Sequence, residues 1–280
     1  MSVKEVELPA PQDDGLNTPL VGEHSKDKHW FLARYIHAFT TAMKPKKWSG
    51  LYYIDLFAGA GIERLKESSR LCWGSPLIAA QTRPRFDGLY LCEKTAEKYE
   101  ALVQRLGRLG ISFAQSCHGD ANELANELIA QIPAKSLSLA FLDPYGLHLD
   151  YSTVTAISRR RCDLIIFFPD RVDVLRNWKL NYYDNPNSNL DRVLGKGTNW
   201  RSILESAPHQ QHPEVLRQLY VSQLKKLGYQ HFEYERIYSK RKPIYQLIFC
   251  SEHRLGADIW RRVAKKKPDK QDTFDFGAPD

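Results

Sequence analysis

The sequence predicts an α/β protein built on a doubly wound, mostly parallel seven-stranded sheet. An apolar segment at 51–57 runs into a glycine turn, which is how a buried parallel strand ends beside a ligand. Further apolar segments alternate with helix-like stretches, which indicates successive βα units. Near the C-terminus, strand-like segments at 232–238 and 244–250 are joined by residues 239–243 alone. Because so short a connection cannot cross the sheet, these two strands form an antiparallel hairpin.

The predicted elements each have a local reason. The first helix, 24–43, places apolar and aromatic residues at helical spacing, and Pro45 comes soon after its end. Ser75 and Pro76 suit an N-cap and a first helical residue, so a second helix begins there. Between the glycine turn and this helix, residues 62–73 are charged, and we expect a mobile loop over the site. The other predicted strands cover 88–92, 111–115, 137–142 and 163–168, and the other predicted helices cover 94–106, 122–132, 215–227 and 255–267.

Length and composition favour one large domain. The chain has 280 residues, of which 42% are apolar and 26% charged, which is enough apolar content for a core. We expect a disordered lead-in over 1–22 and a folded domain over 23–268. Within that domain, 181–211 is expected to be an inserted, loop-rich lobe, and 269–280 a flexible tail. No apolar run is long enough for a membrane span.

The cysteine pattern indicates the cellular compartment, and the net charge indicates the kind of binding partner. The five cysteines are scattered and never occur as Cys-x-x-Cys, which predicts reduced thiols in a cytoplasmic protein and no metal site. The net charge of +7 and the pI of about 9.0 point to a polyanionic partner, DNA or RNA. The basic residues form clusters at Lys44, Lys46 and Lys47; Arg83 and Arg85; 159–161; 240–242; and Arg261, Arg262 and 265–267.

Acidic residues end or directly succeed the predicted strands at Asp55, Glu93, Asp120 and Asp143. Because the carboxyl ends of parallel strands meet at one edge of a sheet, one ligand can contact all of them. S-adenosylmethionine fits, with its methionine part over the turn at 59–61, its ribose on Glu93 and its adenine near Asp120. The Asp55 carboxylate would lie near the cationic end of the methionine. The residues predicted to bind this cofactor are Asp55, Phe57, Ala58, Gly59, Gly61, Glu93, Asp120, Ala121 and Asp143.

A nicotinamide dinucleotide is the competing ligand for a glycine turn. Its pyrophosphate requires a third glycine that opens a helix, in Gly-x-Gly-x-x-Gly spacing. Gly59 and Gly61 supply the first two positions, but the third is Arg64. The sequence therefore favours S-adenosylmethionine.

The segment Asp143-Pro144-Tyr145-Gly146 comes directly after the fourth strand and resembles the Asp-Pro-Pro-Tyr motif of methyltransferases that act on exocyclic amino groups. It is nearer still to the Asp-Pro-Phe-Gly variant of tRNA guanine amino dimethyltransferases. The nitrogen of such a group is a poor nucleophile, because its lone pair is delocalised into the ring. The Asp143 carboxylate and the Pro144 carbonyl can accept its two N–H hydrogens and free the lone pair, and positioning supplies much of the rate. Tyr145 would stack on the base, which is flipped out if the substrate is a duplex.

The whole pattern is similar to the Rossmann-like class I methyltransferase fold, in which one strand of a C-terminal hairpin is inserted antiparallel. The chain also closely resembles the three-Cys-motif partner protein family, which is itself similar to class I methyltransferases. That family is named after a neighbouring protein with three clustered cysteines. The resemblance implies a methyltransferase-like fold and a role in phage or mobile-element biology. It is carried by 24–28 (His-Ser-Lys-Asp-Lys), 53–62 (Tyr-Ile-Asp-Leu-Phe-Ala-Gly-Ala-Gly-Ile), 74–77 (Gly-Ser-Pro-Leu), 141–146 (Phe-Leu-Asp-Pro-Tyr-Gly), 245–249 (Tyr-Gln-Leu-Ile-Phe) and a helix at 255–260.

Two functions are compatible with these observations. The first is an S-adenosylmethionine-dependent methyltransferase that acts on an exocyclic amino group of a base in DNA or RNA, with Asp143, Pro144 and Tyr145 as catalytic residues. The alternative, implied by the family resemblance, is a non-catalytic methyltransferase-like protein. It would dock a three-cysteine protein of iron-sulfur or radical type, or a nucleic acid.

Overall fold

The computed structural model describes residues 8–169, 178–239 and 242–266. Its strands are β1 (Leu20–Val21), β2 (Leu51–Asp55), β3 (Ile62–Leu65), β4 (Leu71–Trp73), β5 (Gly88–Glu93), β6 (Ala114–His118), β7 (Leu137–Leu142), β8 (Cys162–Phe168), β9 (His231–Ser239) and β10 (Lys242–Ser251). Its α-helices are α1 (Ser25–Met43), α2 (Ser75–Gln81), α3 (Ala96–Arg108), α4 (Ala121–Ala130), α5 (Tyr151–Ser158), α6 (Asn189–Leu194), α7 (Trp200–Glu205), α8 (His212–Lys226) and α9 (Arg254–Ala264). A π-helical turn at Trp178–Tyr183 and a 3-10 turn at His209–Gln211 complete the regular structure of the described ranges.

The main sheet has seven strands in the order β6-β5-β2-β7-β8-β10-β9. The five strands from β6 to β8 pair in parallel, while β10 is antiparallel to both β8 and β9. The hairpin therefore places its second strand, β10, inside the sheet and leaves β9 at the edge. This topology confirms the predicted mostly parallel sheet with an antiparallel C-terminal hairpin.

Helices cover both faces of the main sheet, as a doubly wound fold requires. Side chains of β7 alternate between the two faces: Leu139 and Phe141 join a core with α1, α2, α3 and α9. Ala140 and Leu142 join a second core with α4, α5 and α8. Because both faces are buried, β7 is apolar at nearly every position, which explains why its bounds could be predicted directly from the sequence.

One predicted strand lies further along the chain than expected. The sequence places the third strand at 111–115, whereas β6 covers Ala114–His118. The apolar Ile111 belongs instead to the end of α3, where its N–H donates to the carbonyl of Leu106 at 2.9 Å. The apolar character of Ile111 suggested a strand. The residue instead supplies an N–H to one of the last carbonyl groups of α3, which have no partner within the helix.

Residues 62–73 form a β-hairpin, and the expectation of a loop there was wrong. In the hairpin, Ile62 of β3 lies opposite Trp73 of β4, and β1 adds a third strand beside β3. Ile62 and Leu65 are buried. The many charged residues of this segment suggested a loop, and these two apolar positions were therefore not recognised as parts of a strand. The indole N–H of Trp73 donates to the carbonyl of Pro9 at 2.7 Å.

The expected disorder of the lead-in, 1–22, does not hold for its described part, residues 8–22. There, β1 pairs with β3, and Asp14 forms a bidentate ion pair with the buried Arg105. An acid-rich segment can be ordered in this way when a buried cation needs its carboxylates. The tail at 269–280 lies outside the described residues. The lobe expected at 181–211 contains the short helices α6 and α7.

The helices within the described ranges are too short or too polar to cross a lipid bilayer.

Asp163, near the start of β8, is a buried acid at the amino ends of the parallel strands. The hydroxyl of Tyr35 donates to its Oδ2 at 3.0 Å, and Ser251 gives a further hydrogen bond. Burial raises the pKa of Asp163 to about 6, although both hydrogen bonds act against the increase. The carboxyl group therefore holds its proton more tightly in the folded chain than in the unfolded one.

We expect Asp163→Asn to remove part of the pH dependence of stability. Since the folded pKa lies above the unfolded value, the folded state binds the extra proton, and stability falls as the pH rises. For the wild type, this group alone should lower the free energy of unfolding by roughly 2–3 kcal/mol between about pH 4 and pH 7. Urea unfolding across this range measures the effect. Tyr35→Phe, which removes a donor to the carboxylate, should deepen the fall; an unchanged pH profile in Asp163→Asn would contradict the assignment.

Candidate functional site

The carboxyl ends of β2, β5, β6 and β7 bring the predicted acids to one edge of the sheet. Asp55 pairs in register with Leu91 of β5 and Phe141 of β7. Glu93 pairs with His118 of β6, two residues before Asp120. Parallel pairing therefore places Asp55, Glu93, Asp120 and Asp143 along the same edge, as the sequence predicted.

Asp55 is fully buried at the end of β2 and supports the start of the glycine turn. Its Oδ1 accepts the N–H of Phe57 at 3.2 Å, and its Oδ2 accepts the hydroxyl of Tyr53 at 3.3 Å. Ser75 at the start of α2 gives a further hydrogen bond. Burial raises the pKa of Asp55 to about 7, against the effect of these donors. The structure thus gives Asp55 protein partners on both oxygens, and its contact with a cofactor stays a prediction.

Glu93 joins the glycine turn to the end of β5. Its Oε2 accepts the N–H of Gly59 at 2.8 Å, and its Oε1 accepts the N–H of Thr95 at 2.7 Å. The backbone adds a parallel link, from the N–H of Ala58 to the carbonyl of Cys92 at 2.9 Å. Each carboxylate oxygen has a second lone pair, so Glu93 can still accept from a ligand while it holds the turn.

The two glycines of the turn have different surroundings. Gly59 has φ +64°, and a Cβ added there would meet no atom within 4 Å. Gly61 has φ +84°, and its Cβ would lie 2.8 Å from Leu77 and 3.2 Å from Leu102. Both backbone conformations favour glycine. Gly59 therefore borders open space where a ligand can approach the backbone, whereas Gly61 lets α2 and α3 pack against the turn.

Asp120 caps α4 at the third strand end. Its Oδ1 accepts the N–H of Asn122 at 2.8 Å, and its Oδ2 pairs with the ammonium of Lys94 at 2.8 Å. The hydrogen bond from Lys94 holds the pKa of Asp120 below its usual value. Among the remaining predicted contacts, Ala58 and Ala121 are buried and Phe57 is half-buried against the core on the α4 side. The two alanines can thus offer a ligand only backbone groups.

Asp143 forms an ion pair with Lys28 of α1, which the sequence analysis did not identify. The distance from Nζ to Oδ2 is 2.5 Å, and Lys28 is only 7% exposed. Burial acts to lower the pKa of Lys28, but the carboxylates of Asp143 and Glu63 outweigh it, and the pKa is raised. Lys28 also lies 5.4 Å from the ring centre of Phe167. The first turn of α1 therefore reaches the site. Lys28 and Asp143 are 115 residues apart in the chain, so their pairing depends on the tertiary fold.

Tyr145 is the most exposed large hydrophobic residue beside the site. Its side chain is 93% exposed, although Pro144 before it is buried. Gly146 has φ +70° and turns the chain back towards the protein, where Leu147 is buried. An aromatic ring that is held in solvent between the buried Pro144 and Leu147 is available to a partner.

Arg105 of α3 is a second residue that the sequence analysis missed. It is 2% exposed and donates to the carbonyl of Ala60 in the glycine turn at 2.7 Å. The same guanidinium forms the bidentate pair with Asp14 at 2.7 and 2.8 Å. The sequence does contain a feature that could have revealed this residue: Arg105 lies on the apolar face of α3, beside Leu102 and Leu106.

Three of the basic clusters lie away from this edge. Lys44, Arg85 and Arg161 precede β2, β5 and β8, so they lie at the amino ends of these parallel strands, opposite the acids. Lys44 is also paired with Asp87 at 2.7 Å. The clusters at Lys44, Arg85 and Arg161 therefore form no basic surface around the acids. Residues 240, 241 and 267, which belong to two further clusters, lie outside the described ranges.

No protein-family model and no curated protein matches this chain. Among solved structures, it is similar to protein LPL1258 of Legionella pneumophila, with 14% identity and a TM-score of 0.50 over 86% of this chain and 89% of that one. It is similar to M. jannaschii TYW2 in complex with AdoMet, with 10% identity and a TM-score of 0.44 over 82% and 75% of the two chains. It is also similar to an rRNA methylase of Streptococcus thermophilus, with 12% identity and a TM-score of 0.42 over 80% and 93%.

The chain has a Rossmann-like class I methyltransferase fold. The strand order and the inserted antiparallel strand carry this assignment. Identities this low concern the fold alone, so the function has to be argued from the site.

We expect the two glycines of the turn to respond differently to alanine. Gly61→Ala combines left-handed strain with a Cβ that overlaps Leu77, so it should destabilise the protein by roughly 2–4 kcal/mol. Gly59→Ala adds only the strain, about 1–2 kcal/mol. Urea unfolding at one pH compares the variants. An equal loss in both, or a greater loss in Gly59→Ala, would show that the space above Gly59 is not open.

Proposed function

We propose that this protein is an S-adenosylmethionine-dependent methyltransferase that acts on an exocyclic amino group of a nucleic-acid base. The observation that carries the proposal is the arrangement at the end of β7. There, the Asp143 carboxylate is held by Lys28 at the glycine-turn edge, and the neighbouring Tyr145 is 93% exposed. A carboxylate to hold an amine and a ring to stack on a base are the two groups this chemistry needs.

The strand-end residues fit S-adenosylmethionine better than a dinucleotide. After the glycine turn, the chain enters β3, and α2 begins only at Ser75, so the turn opens no helix that could bind a pyrophosphate. Arg64, at the third-glycine position, instead pairs with Asp13 at 2.6 Å. The open space at Gly59 would accept the methionine part, and Glu93 would accept the ribose hydroxyls. When bound, the cofactor supplies a methyl group on a sulfonium centre.

Asp143 and Lys28 would act together on the amine. Lys28 occupies Oδ2, so we assign Oδ1 as the acceptor of one N–H of the substrate, and the Pro144 carbonyl as acceptor of the other. Two acceptors pull the nitrogen towards a pyramidal shape and localise its lone pair. Lys28 is a positioning residue in this scheme, because its ammonium fixes the orientation of the carboxylate.

Tyr145 would recognise the base through its ring. A stacked base is worth about 1–3 kcal/mol, and stacking accepts any base. A base inside a duplex would first have to be flipped out of its stack. The proposal leaves DNA and RNA as two substrate classes that the same site could serve.

The family resemblance motivates a second candidate, a non-catalytic partner of a three-cysteine protein or a nucleic acid. One observation favours it: the Asp143 carboxylate already has a buried cationic partner in Lys28, within the 24–28 segment that carries the resemblance. A carboxylate bound in this way could serve the architecture of the site without chemistry. The two candidates differ in whether methyl transfer depends on Asp143.

We expect S-adenosylmethionine to bind the wild-type chain and Gly59→Ala to weaken that binding. The added Cβ would fill the open space at the turn and should raise the Kd by at least about tenfold, or about 1.4 kcal/mol. Isothermal titration calorimetry measures it. Gly197→Ala is the matched control, since Gly197 has φ +84° and its Cβ would also meet nothing within 4 Å, but it lies in the lobe. Absence of binding by the wild type would reject the cofactor.

We expect methyl transfer to depend on Asp143 and Tyr145 in different ways. Asp143→Asn should lower kcat by roughly 10²–10⁴-fold, the range typical of a lost polar catalytic group. Tyr145→Ala should raise KM by about 5–150-fold, as the loss of one stacked base implies, without changing cofactor binding. Labelled cofactor with total DNA and total RNA, followed by nucleoside mass spectrometry, measures both.

Tyr238→Ala is the control for Tyr145→Ala, since Tyr238 is 50% exposed on β9 and should have no effect. Bound cofactor without methyl transfer to either nucleic acid pool would reject the enzyme and favour the partner protein.

A further inference from the structure

Three potential metal ligands meet where the β3–β4 hairpin packs against α1. His29, Glu63 and Cys72 each offer one ligand atom, and these atoms all lie within 4.8 Å of one another. Glu63 and Cys72 are direct cross-strand partners, so their side chains share one face of the hairpin. His29 approaches that face from the first turns of α1. The set is therefore assembled from three separate elements by the packing of the hairpin.

Buried polar atoms in this cluster have no hydrogen-bond partner among the described residues. They are Nδ1 of His29 and Oε2 of Glu63, and each such atom costs about 1–3 kcal/mol. The distance from Nε2 of His29 to Oε2 of Glu63 is 3.8 Å, which is too long for a hydrogen bond. His29 is buried and Glu63 and Cys72 are half-buried, and the thiol of Cys72 donates to the carbonyl of Glu63 at 3.7 Å, so the unpaired atoms of the cluster are those of His29 and Glu63.

We propose that His29, Glu63 and Cys72 bind a divalent transition-metal ion of the zinc class. Imidazole nitrogen, carboxylate oxygen and thiolate sulfur are the ligands that Zn²⁺ takes in proteins. Tetrahedral ligands at about 2.0–2.3 Å from the ion are roughly 3.3–3.8 Å apart, so the His29–Glu63 separation of 3.8 Å needs little adjustment. The ion would bond to Nε2 of His29 and to Oε2 of Glu63, the carboxylate oxygen that the protein leaves without a hydrogen bond.

The surroundings leave room for a fourth ligand. An open cavity of about 230 Å³ is bordered by His29 and Cys72, together with Leu8, Ala33 and Ile78. A water molecule or another small ligand can therefore complete the tetrahedron. Two lysines lie near the site, but Lys26 is paired with Glu23 and Lys28 with Asp143, so their charges are balanced locally.

A bound ion would fasten the hairpin to α1 at the residue after Lys28. It would thereby fix the position from which Lys28 reaches Asp143. The inference does not rest on the proposed function, because the metal site contains none of the residues assigned to cofactor or substrate. The sequence did not indicate this metal site, because the three ligands lie far apart in the chain.

Cobalt substitution of the full chain tests the site directly. The protein is stripped with a chelator and titrated with Co²⁺, and Zn²⁺ content is measured in parallel by mass spectrometry. We expect one ion per chain, the visible absorption of tetrahedral Co²⁺ and a near-ultraviolet sulfur-to-cobalt charge-transfer band. Cys72→Ser should abolish that band, and His29→Gln and Glu63→Gln should each weaken binding by more than about tenfold.

The matched controls are Cys117→Ser, another half-buried cysteine, and His37→Gln, on the same helix as His29. Both should bind as the wild type does. A second measurement needs no variant: Zn²⁺ should protect Cys72 of the wild-type chain from alkylation, read by peptide mass spectrometry, and leave Cys117 unprotected. Binding that survives Cys72→Ser unchanged, or equal labelling of Cys72 with and without Zn²⁺, would overturn the proposal.

Discussion

The structure depends on satisfying the backbone of one glycine turn inside the protein. The N–H of Gly59 donates to the Glu93 carboxylate, and the carbonyl of Ala60 accepts from the Arg105 guanidinium. Both side chains are more than nine-tenths buried, where an unpaired peptide group would be costly. These bonds connect β2, β5, α3 and, through Asp14, the N-terminal segment. The turn is thereby held rigid while the space above Gly59 stays open.

The β3–β4 hairpin comes directly after the glycine turn. A Cβ at Gly61 would overlap Leu77 and lie close to Leu102, and after this residue the chain forms the β3–β4 hairpin before α2 begins. The hairpin, β1 and the N-terminal segment then pack together, with Trp73 bonded to Pro9. This packing brings Glu63 and Cys72 to α1. The ligand site and the proposed metal site thus lie on either side of the same short segment of chain, 59–73.

Charge placement argues for a specific site rather than a general polyanion surface. The acids lie at the carboxyl ends of the parallel strands, and the basic clusters at Lys44, Arg85 and Arg161 lie at the amino ends. Long-range attraction of nucleic acid by these clusters would therefore act on the side opposite the turn. In the proposed function, recognition at the site itself would depend on Asp143, Lys28 and the exposed ring of Tyr145.

The sequence by itself determined the class of the sheet and the edge that carries the site. Buried parallel strands are apolar at nearly every position, so β7 and β8 were visible, and acids or glycines directly after the strands marked their ends. Only the tertiary structure decided the partners of these residues. Lys28, Arg105 and Cys72 are ordinary residues in their own segments, and each meets its partners in an element that is separate in the chain. Hydrophobic periodicity reports which face of an element is buried, whereas the pairing of buried charges depends on how elements pack.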